Sequence, residues 1–201
     1  MKFKVWSFYY SFIFISFSIA FEGDMYDFFL PNGMKVILME KHSAPKVAVS
    51  MFYNVGAHDE PEGQRGINQL VTTAILIGGT IKYPDIELSK LKDKYHASYG
   101  DYNGGDITYF WTEIQKQQLE FVLDYESDRM TEVVIDDKTL SEFKARYKTD
   151  LEERKKDEIN VAFAQALIEM VPDGHPYKTT TWGIPEQVDT LSISTCKKWY
   201  K

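Results

Sequence analysis

Hydrophobic and polar positions alternate with a short period at the start of the chain. Two extended apolar stretches, 26–30 and 34–40, flank a Pro-Asn-Gly segment, and Asn32-Gly33 is typical of a tight turn in left-handed backbone conformations. Residues 46–55 alternate well enough to place one face of a strand in a core. The pattern predicts a β-hairpin followed by a third strand.

Further along, the apolar residues recur at helical spacing. A helix is predicted over Ile67–Ile77, ended by Gly78-Gly79, because apolar side chains recur there every three to four residues. The other elements predicted are helices at 85–95, 117–130, 136–158, 161–170 and 194–201, and strands at 97–103 and 106–114 joined by Gly104-Gly105. Strands and helices in this order predict an α+β domain whose antiparallel sheet packs against helices.

The first twenty residues predict export. A basic start, Met1 to Lys4, precedes an apolar stretch over 5–20 that ends in small residues. That stretch is shorter than the roughly 20 residues of a membrane span. We expect a signal peptide over 1–20 and a mature domain over 21–201, periplasmic or secreted and with no stable membrane span after cleavage. The alternative is an uncleaved N-terminal anchor.

Charge and cysteine content argue against nucleic-acid binding and against cysteine-based disulfides or metal clusters. The net charge is −7 and no block of basic residues is present, which argues against nucleic-acid binding. Cys196 is the only cysteine in the sequence, so neither an internal disulfide nor a cysteine metal cluster can form.

Seven segments, in order along the chain, resemble the N-terminal domain of the insulinase/pitrilysin (M16) metallopeptidase family. They are Leu30 to Val36, Tyr53 to Pro61, Gly66-Ile67, Gly78 to Pro84, Asp106 to Thr108, Glu126 to Met130, and His175 to Tyr177 with Gly183. The resemblance implies a two-layer M16/LuxS-like domain, doubled in one polypeptide or paired between subunits. It also implies zinc-dependent cleavage of peptides inside a closed chamber.

The zinc site that this resemblance implies is degenerate. Active relatives carry His-x-x-Glu-His on one helix, so that two imidazoles share a helical face and the glutamate activates water. The matching positions here hold Gln69, Thr72 and Thr73, and the third ligand position holds Asp150, followed one turn later by Arg154. An amide and two hydroxyls are poor zinc ligands. We therefore expect no bound zinc and no catalytic residue.

The resemblance also implies a strand that holds the substrate backbone. Where active relatives carry an Asn-Ala pair, this chain has Gly100-Asp101, and these two residues with Asn103 are the candidate substrate-binding residues. A strand edge binds peptide through main-chain groups whatever its side chains are.

Histidine offers no other metal site by spacing. No two of the four histidines are three or four residues apart. His58-Asp59-Glu60 is predicted to be a solvated loop, with a metal site as the alternative. His175, next to Pro176, is predicted to serve a turn.

The expected function is that of a non-catalytic scaffold or substrate-binding partner for an active M16 zinc peptidase. Three alternatives stay open: a peptide-binding module without a peptidase partner, a truncated remnant, and an active metalloendopeptidase with an unrecognised site. The remnant is suggested by the end of the chain at Lys201, where the family pattern continues.

Overall fold

The computed structural model describes residues 24–84 and 93–201, which belong to two compact units, one ending at Ala44 and the other spanning Pro45–Lys201. The predicted signal peptide lies outside the described residues, as does most of the helix predicted at 85–95.

The first unit contains the predicted hairpin. Strands β1 (Met25–Phe29) and β2 (Lys35–Met39) pair antiparallel in an unbroken register. At the turn Gly33 takes a φ of 85°, where a side chain would be strained. Asn32 keeps a negative φ, contrary to the prediction, and its Oδ1 instead accepts a hydrogen bond from Met34 N at 3.1 Å. The hairpin is confirmed, with one left-handed residue rather than two.

The second unit is built on a three-stranded antiparallel sheet. Strands β3 (Lys46–Tyr53), β4 (Ser98–Asn103) and β5 (Thr108–Gln115) lie in the order β3-β5-β4. Every second residue of the central strand β5, from Thr108 to Ile114, is buried. One face of the sheet therefore packs on the core, and β4 lies at an edge.

Six helices of the second unit are described. They are α1 (Ile67–Ile77), α2 (Leu119–Arg129), α3 (Asp137–Lys155), α4 (Glu158–Glu169), α5 (Pro185–Thr190) and α6 (Ile193–Tyr200), with short 3-10 turns at Ala57–Asp59, Lys116–Gln118 and Pro176–Lys178. Within the two described ranges, no helix has both the length and the apolar character needed to cross a membrane.

Helix α1 lies at the centre of the main hydrophobic core. Its apolar residues, among them Ile67 and Leu70, pack with Phe143 and Tyr147 of α3 and with Cys196 of α6. Each apolar side chain buried this deeply contributes roughly 1.5–3 kcal/mol. The α+β class is confirmed, and α1 is fixed on most of its circumference.

The helix predicted at 136–158 is wrong at its end. Asp136 caps α3 through Thr139 N at 2.8 Å, and the helix stops at Lys155. Asp157 then accepts from Asn160 N at 3.1 Å and starts α4, which therefore includes Glu158. An aspartate side chain competes for backbone N–H groups in this way. Here it places the break between the two predicted helices at 156–157, a few residues before the break expected at 159–160.

Candidate functional site

The start of α1 is held in place by a buried carboxylate. Glu60 is 4% exposed, and its two oxygens accept from Gly66 N at 2.9 Å and from Asn68 N at 2.8 Å. Burial raises the pKa of the Glu60 carboxyl, and the two backbone hydrogen bonds oppose that shift. Gly66 has a φ of 103°, and a Cβ there would collide with Val188. These contacts give α1 a single starting point.

The three α1 positions predicted to correspond to the zinc motif do not share one environment. Gln69 is half-buried, whereas Thr72 and Thr73 are 2% and 6% exposed. Thr73 Oγ1 donates to Gln69 O within the helix at 2.9 Å. The hydroxyl of Thr73 is therefore already used by the backbone one turn earlier.

Gln69 and Asp150 line the same small pocket between α1 and α3, which has room for about one water molecule. Its other lining residues are Tyr147, Leu151, Arg154 and Trp182. Asp150 is half exposed and lies 3.8 Å from Arg146 Nε. The structure thus brings together two of the four predicted positions, together with Arg154, and leaves both threonines outside the pocket lining.

Three residues that line the pocket, Tyr147, Leu151 and Trp182, were not among the predicted site residues. The hydroxyl of Tyr147 donates to Trp182 O at 2.9 Å, and burial raises the pKa of Tyr147 to about 12. Nothing local in the sequence marks Trp182, because its partner on α3 lies far away along the chain.

Asn103, a candidate substrate-binding residue, is part of a polar network between β4 and α1. Its Nδ2 donates to Gln69 Oε1 at 2.9 Å, and its Oδ1 accepts from Asn68 Nδ2 at 2.5 Å. Asn68 also donates to Thr108 Oγ1 at 3.0 Å and accepts from Trp199 Nε1 at 3.1 Å. The network places the edge strand directly beside the helix that carries Gln69.

The other two candidates on β4 face opposite sides of the sheet. A Cβ at Gly100 would meet the indole of Trp111, its cross-strand partner, so the ring lies over the glycine. Asp101 is half-buried on the other face. Burial raises the pKa of its carboxyl, and the positive charges of Arg154 and Arg146 oppose that shift.

The triple His58-Asp59-Glu60 does not converge on one point. His58 Nδ1 lies 3.3 Å from Asp106 Oδ1, Asp59 Oδ2 accepts from Gly56 N at 2.9 Å, and Glu60 caps α1. The prediction of a solvated loop is wrong for His58 and Glu60, because the His58 side chain is 14% exposed and Glu60 is buried. Within the described ranges, no cluster of three metal-ligating side chains is present.

His58 instead belongs to a cluster that joins three loops. Its ring stacks on Tyr177 with centroids 3.9 Å apart, and the Tyr177 hydroxyl donates to Asp106 Oδ2 at 2.6 Å. His175 Nδ1 accepts from Tyr177 N at 3.2 Å, which begins the 3-10 turn Pro176–Lys178. The turn role predicted for His175 is therefore present in the structure.

The sequence matches a known protein family over most of its length. The family model described as insulinase (peptidase family M16) matches residues 35–179, which is more than half of the chain. The chain belongs to peptidase family M16. Its similarity to the A-factor-processing enzyme of Saccharomyces cerevisiae (strain ATCC 204508 / S288c) is 30% identity over 96 residues, covering 47% of this chain and 9% of that protein.

Two solved structures show the same fold. A structure of pitrilysin superposes with a TM-score of 0.79 at 21% identity, over 89% of this chain and 19% of that one. A protease from Helicobacter pylori superposes with a TM-score of 0.75 at 17% identity, over 89% and 43%. The chain spans less than half the length of each of these relatives.

Proposed function

We propose that this chain is a zinc-free, non-catalytic M16 protein that binds an extended peptide along β4 and serves as the scaffold or substrate-binding partner of an active M16 zinc peptidase. The observation that carries the proposal is that the M16 fold is retained while the positions matched to the zinc motif hold side chains that bind zinc poorly. Helix α1 is anchored and lies next to the edge strand β4, yet its motif positions carry an amide and two hydroxyls.

The donors at the proposed zinc positions do not fit the metal. Zinc in proteins takes thiolate, imidazole or carboxylate, with three protein ligands at catalytic sites and four at structural ones. Gln69 offers an amide oxygen that is bonded to Asn103, and the Thr73 hydroxyl donates to the helix backbone. Among the four positions matched to the zinc site, Asp150 alone carries a carboxylate, and that carboxylate lies beside the cation of Arg146.

The edge strand supports the peptide-binding half of the proposal. Among the described strands β4 pairs with β5 alone, so its other side presents backbone groups to an added strand. Asn103 ties that edge to α1, the helix that carries the positions matched to the zinc motif. Binding through the main chain needs none of the side chains that zinc chemistry needs.

Peptide binding along β4 is tested with a fluorescent extended peptide and the purified chain. We expect saturable binding without cleavage, measured by fluorescence anisotropy and mass spectrometry of the recovered peptide. A matched peptide carrying an N-methyl group at every residue should not bind, because methylation removes the N–H groups that pair with the strand. Equal binding of both peptides would contradict strand addition.

The partner half is tested by affinity purification of the tagged chain from an extracytoplasmic extract, the compartment that the N-terminal sequence predicts. We expect a companion with an intact His-x-x-Glu-His helix, and chelator-sensitive peptide cleavage that follows the companion through further fractionation. Peptide binding by the chain with no companion would favour a stand-alone binding module. Cleavage that stays with the purified chain would contradict the proposal.

A further inference from the structure

The outer face of the three-stranded sheet carries a row of aromatic side chains that the M16 assignment leaves unexplained. Phe52, Tyr109 and Tyr102 stand opposite one another on β3, β5 and β4, and so share one face. Their ring centroids are 4.9 Å and 5.2 Å apart. Phe52 is 63% exposed and Tyr102 is 48% exposed. The row runs across the sheet and ends at the edge strand.

A second aromatic contact lies two residues away on the same face. Trp111 follows Tyr109 by two positions on β5, and its indole lies over Gly100 of the edge strand. A glycine on a strand leaves space that a neighbouring aromatic ring fills. Along the edge strand β4, position 102 therefore exposes its own tyrosine ring. Two residues earlier, at Gly100, the ring on this face is the indole of Trp111 from the neighbouring strand.

Strand addition at β4 would place peptide side chains directly against these rings. Residues opposite each other on paired strands have Cβ atoms about 4.5–5.5 Å apart, and alternate residues point to the same face. The peptide residue opposite Tyr102 would continue the aromatic row, and the residue two positions along would meet the indole over Gly100. The residue between them would face the opposite side, where the Asp101 carboxylate lies.

We infer that Tyr102 and Trp111 select extended peptides with aromatic or large apolar residues at alternate positions. The inference rests on the proposed function, since it specifies which peptides the edge of β4 prefers. Offset and tilted ring pairs attract each other more strongly than their buried area alone explains. The affinity for a peptide should therefore depend on the spacing of its aromatic residues as well as on its hydrophobicity. The two rings are two residues apart in register, which fixes the required spacing in the peptide.

The test compares two peptides of identical composition by fluorescence anisotropy. Both consist of threonine between lysine ends with two phenylalanines, placed at alternate positions in one isomer and adjacent in the other. We expect the alternate isomer to bind about two- to tenfold more tightly, the factor that one aromatic pair supplies. Tyr102→Ser should abolish the preference, and Tyr102→Phe should retain it. The matched control is Phe163→Ser, which removes a 62% exposed ring from α4 and should leave the preference intact.

The outcomes separate this inference from the proposed function. Binding of both isomers with equal affinity, or a preference that survives Tyr102→Ser, would overturn the selection of alternate aromatic residues and leave strand addition standing. Failure of every peptide to bind would overturn both. A preference that persists in the N-methylated peptides would show that the rings bind phenylalanine without any strand pairing, which also overturns the inference.

Discussion

The buried ion pair between Glu126 and Arg129 gives the sharpest prediction about how this fold is held together. Both side chains are 3% exposed, and Arg129 Nη2 lies 2.6 Å from Glu126 Oε2. Thr112 Oγ1 donates to the other carboxylate oxygen at 3.2 Å, and the guanidinium lies over the Phe110 ring, 4.8 Å from its centroid. The pair thus joins α2 to the central strand of the sheet.

Removal of one partner should be far more harmful than removal of both. Arg129→Met leaves the Glu126 carboxylate buried without its cation, at a cost of about 3–5 kcal/mol in the free energy of unfolding. In a protein of this size that loss lowers Tm by roughly 6–20 °C. Glu126→Leu combined with Arg129→Met removes both charges and should cost less than either single change, because no unpaired charge remains in the core.

Urea denaturation followed by circular dichroism measures these differences. The control is Lys148→Met, which breaks a 2.8 Å ion pair with Asp189 whose side chains are about half exposed, and it should cost under about 1 kcal/mol. The prediction is contradicted if Arg129→Met costs no more than the control, or if the double variant costs as much as either single variant.

Three further changes test other contacts. Gly183→Ala should destabilise the chain by about 1–3 kcal/mol in thermal melts, since residue 183 has a φ of 78° and a Cβ there would strike the backbone before α1. Hydrogen bonds from Tyr177, and to a smaller extent from His58, lower the pKa of Asp106 below its ordinary value of 3.8. The Asp106 carboxylate therefore stabilises the fold fully above the ordinary pKa, and this stabilisation is lost as the pH falls through the lowered pKa. The Tm difference between wild type and Asp106→Asn should stay constant above the ordinary pKa and shrink in acid. Trp199→Phe removes the bond to Asn68 and should cost about 1 kcal/mol in urea denaturation.

Elements with a clear period or punctuation were predictable from sequence. The bounds of α1 match the structure because glycines stand on both sides of a regular apolar pattern. A turn follows β4 at Gly104 as predicted, but it takes the four residues 104–107, with Gly104 N donating to Ile107 O, and β5 begins at Thr108 rather than at 106. Helix α5 was missed, since six residues from Pro185 to Thr190 are too short to show a period.

The candidate site was predictable only where local sequence carried it. The family resemblance placed Gln69 and Asp150 at related positions, and both line one pocket. The burial of His58 was not predictable, because its contacts with Asp106 and Tyr177 come from residues far along the chain. A polar loop sequence looks solvated until tertiary contacts cover it.

The zinc content of the purified chain tests the central claim most directly. The protein, equilibrated with zinc and then desalted, is measured by inductively coupled plasma mass spectrometry beside Asp150→Asn. The account predicts well under one zinc per chain in both, because Gln69, Thr72 and Thr73 supply no imidazole or carboxylate. One zinc per chain in the wild type, lost in Asp150→Asn, would contradict it.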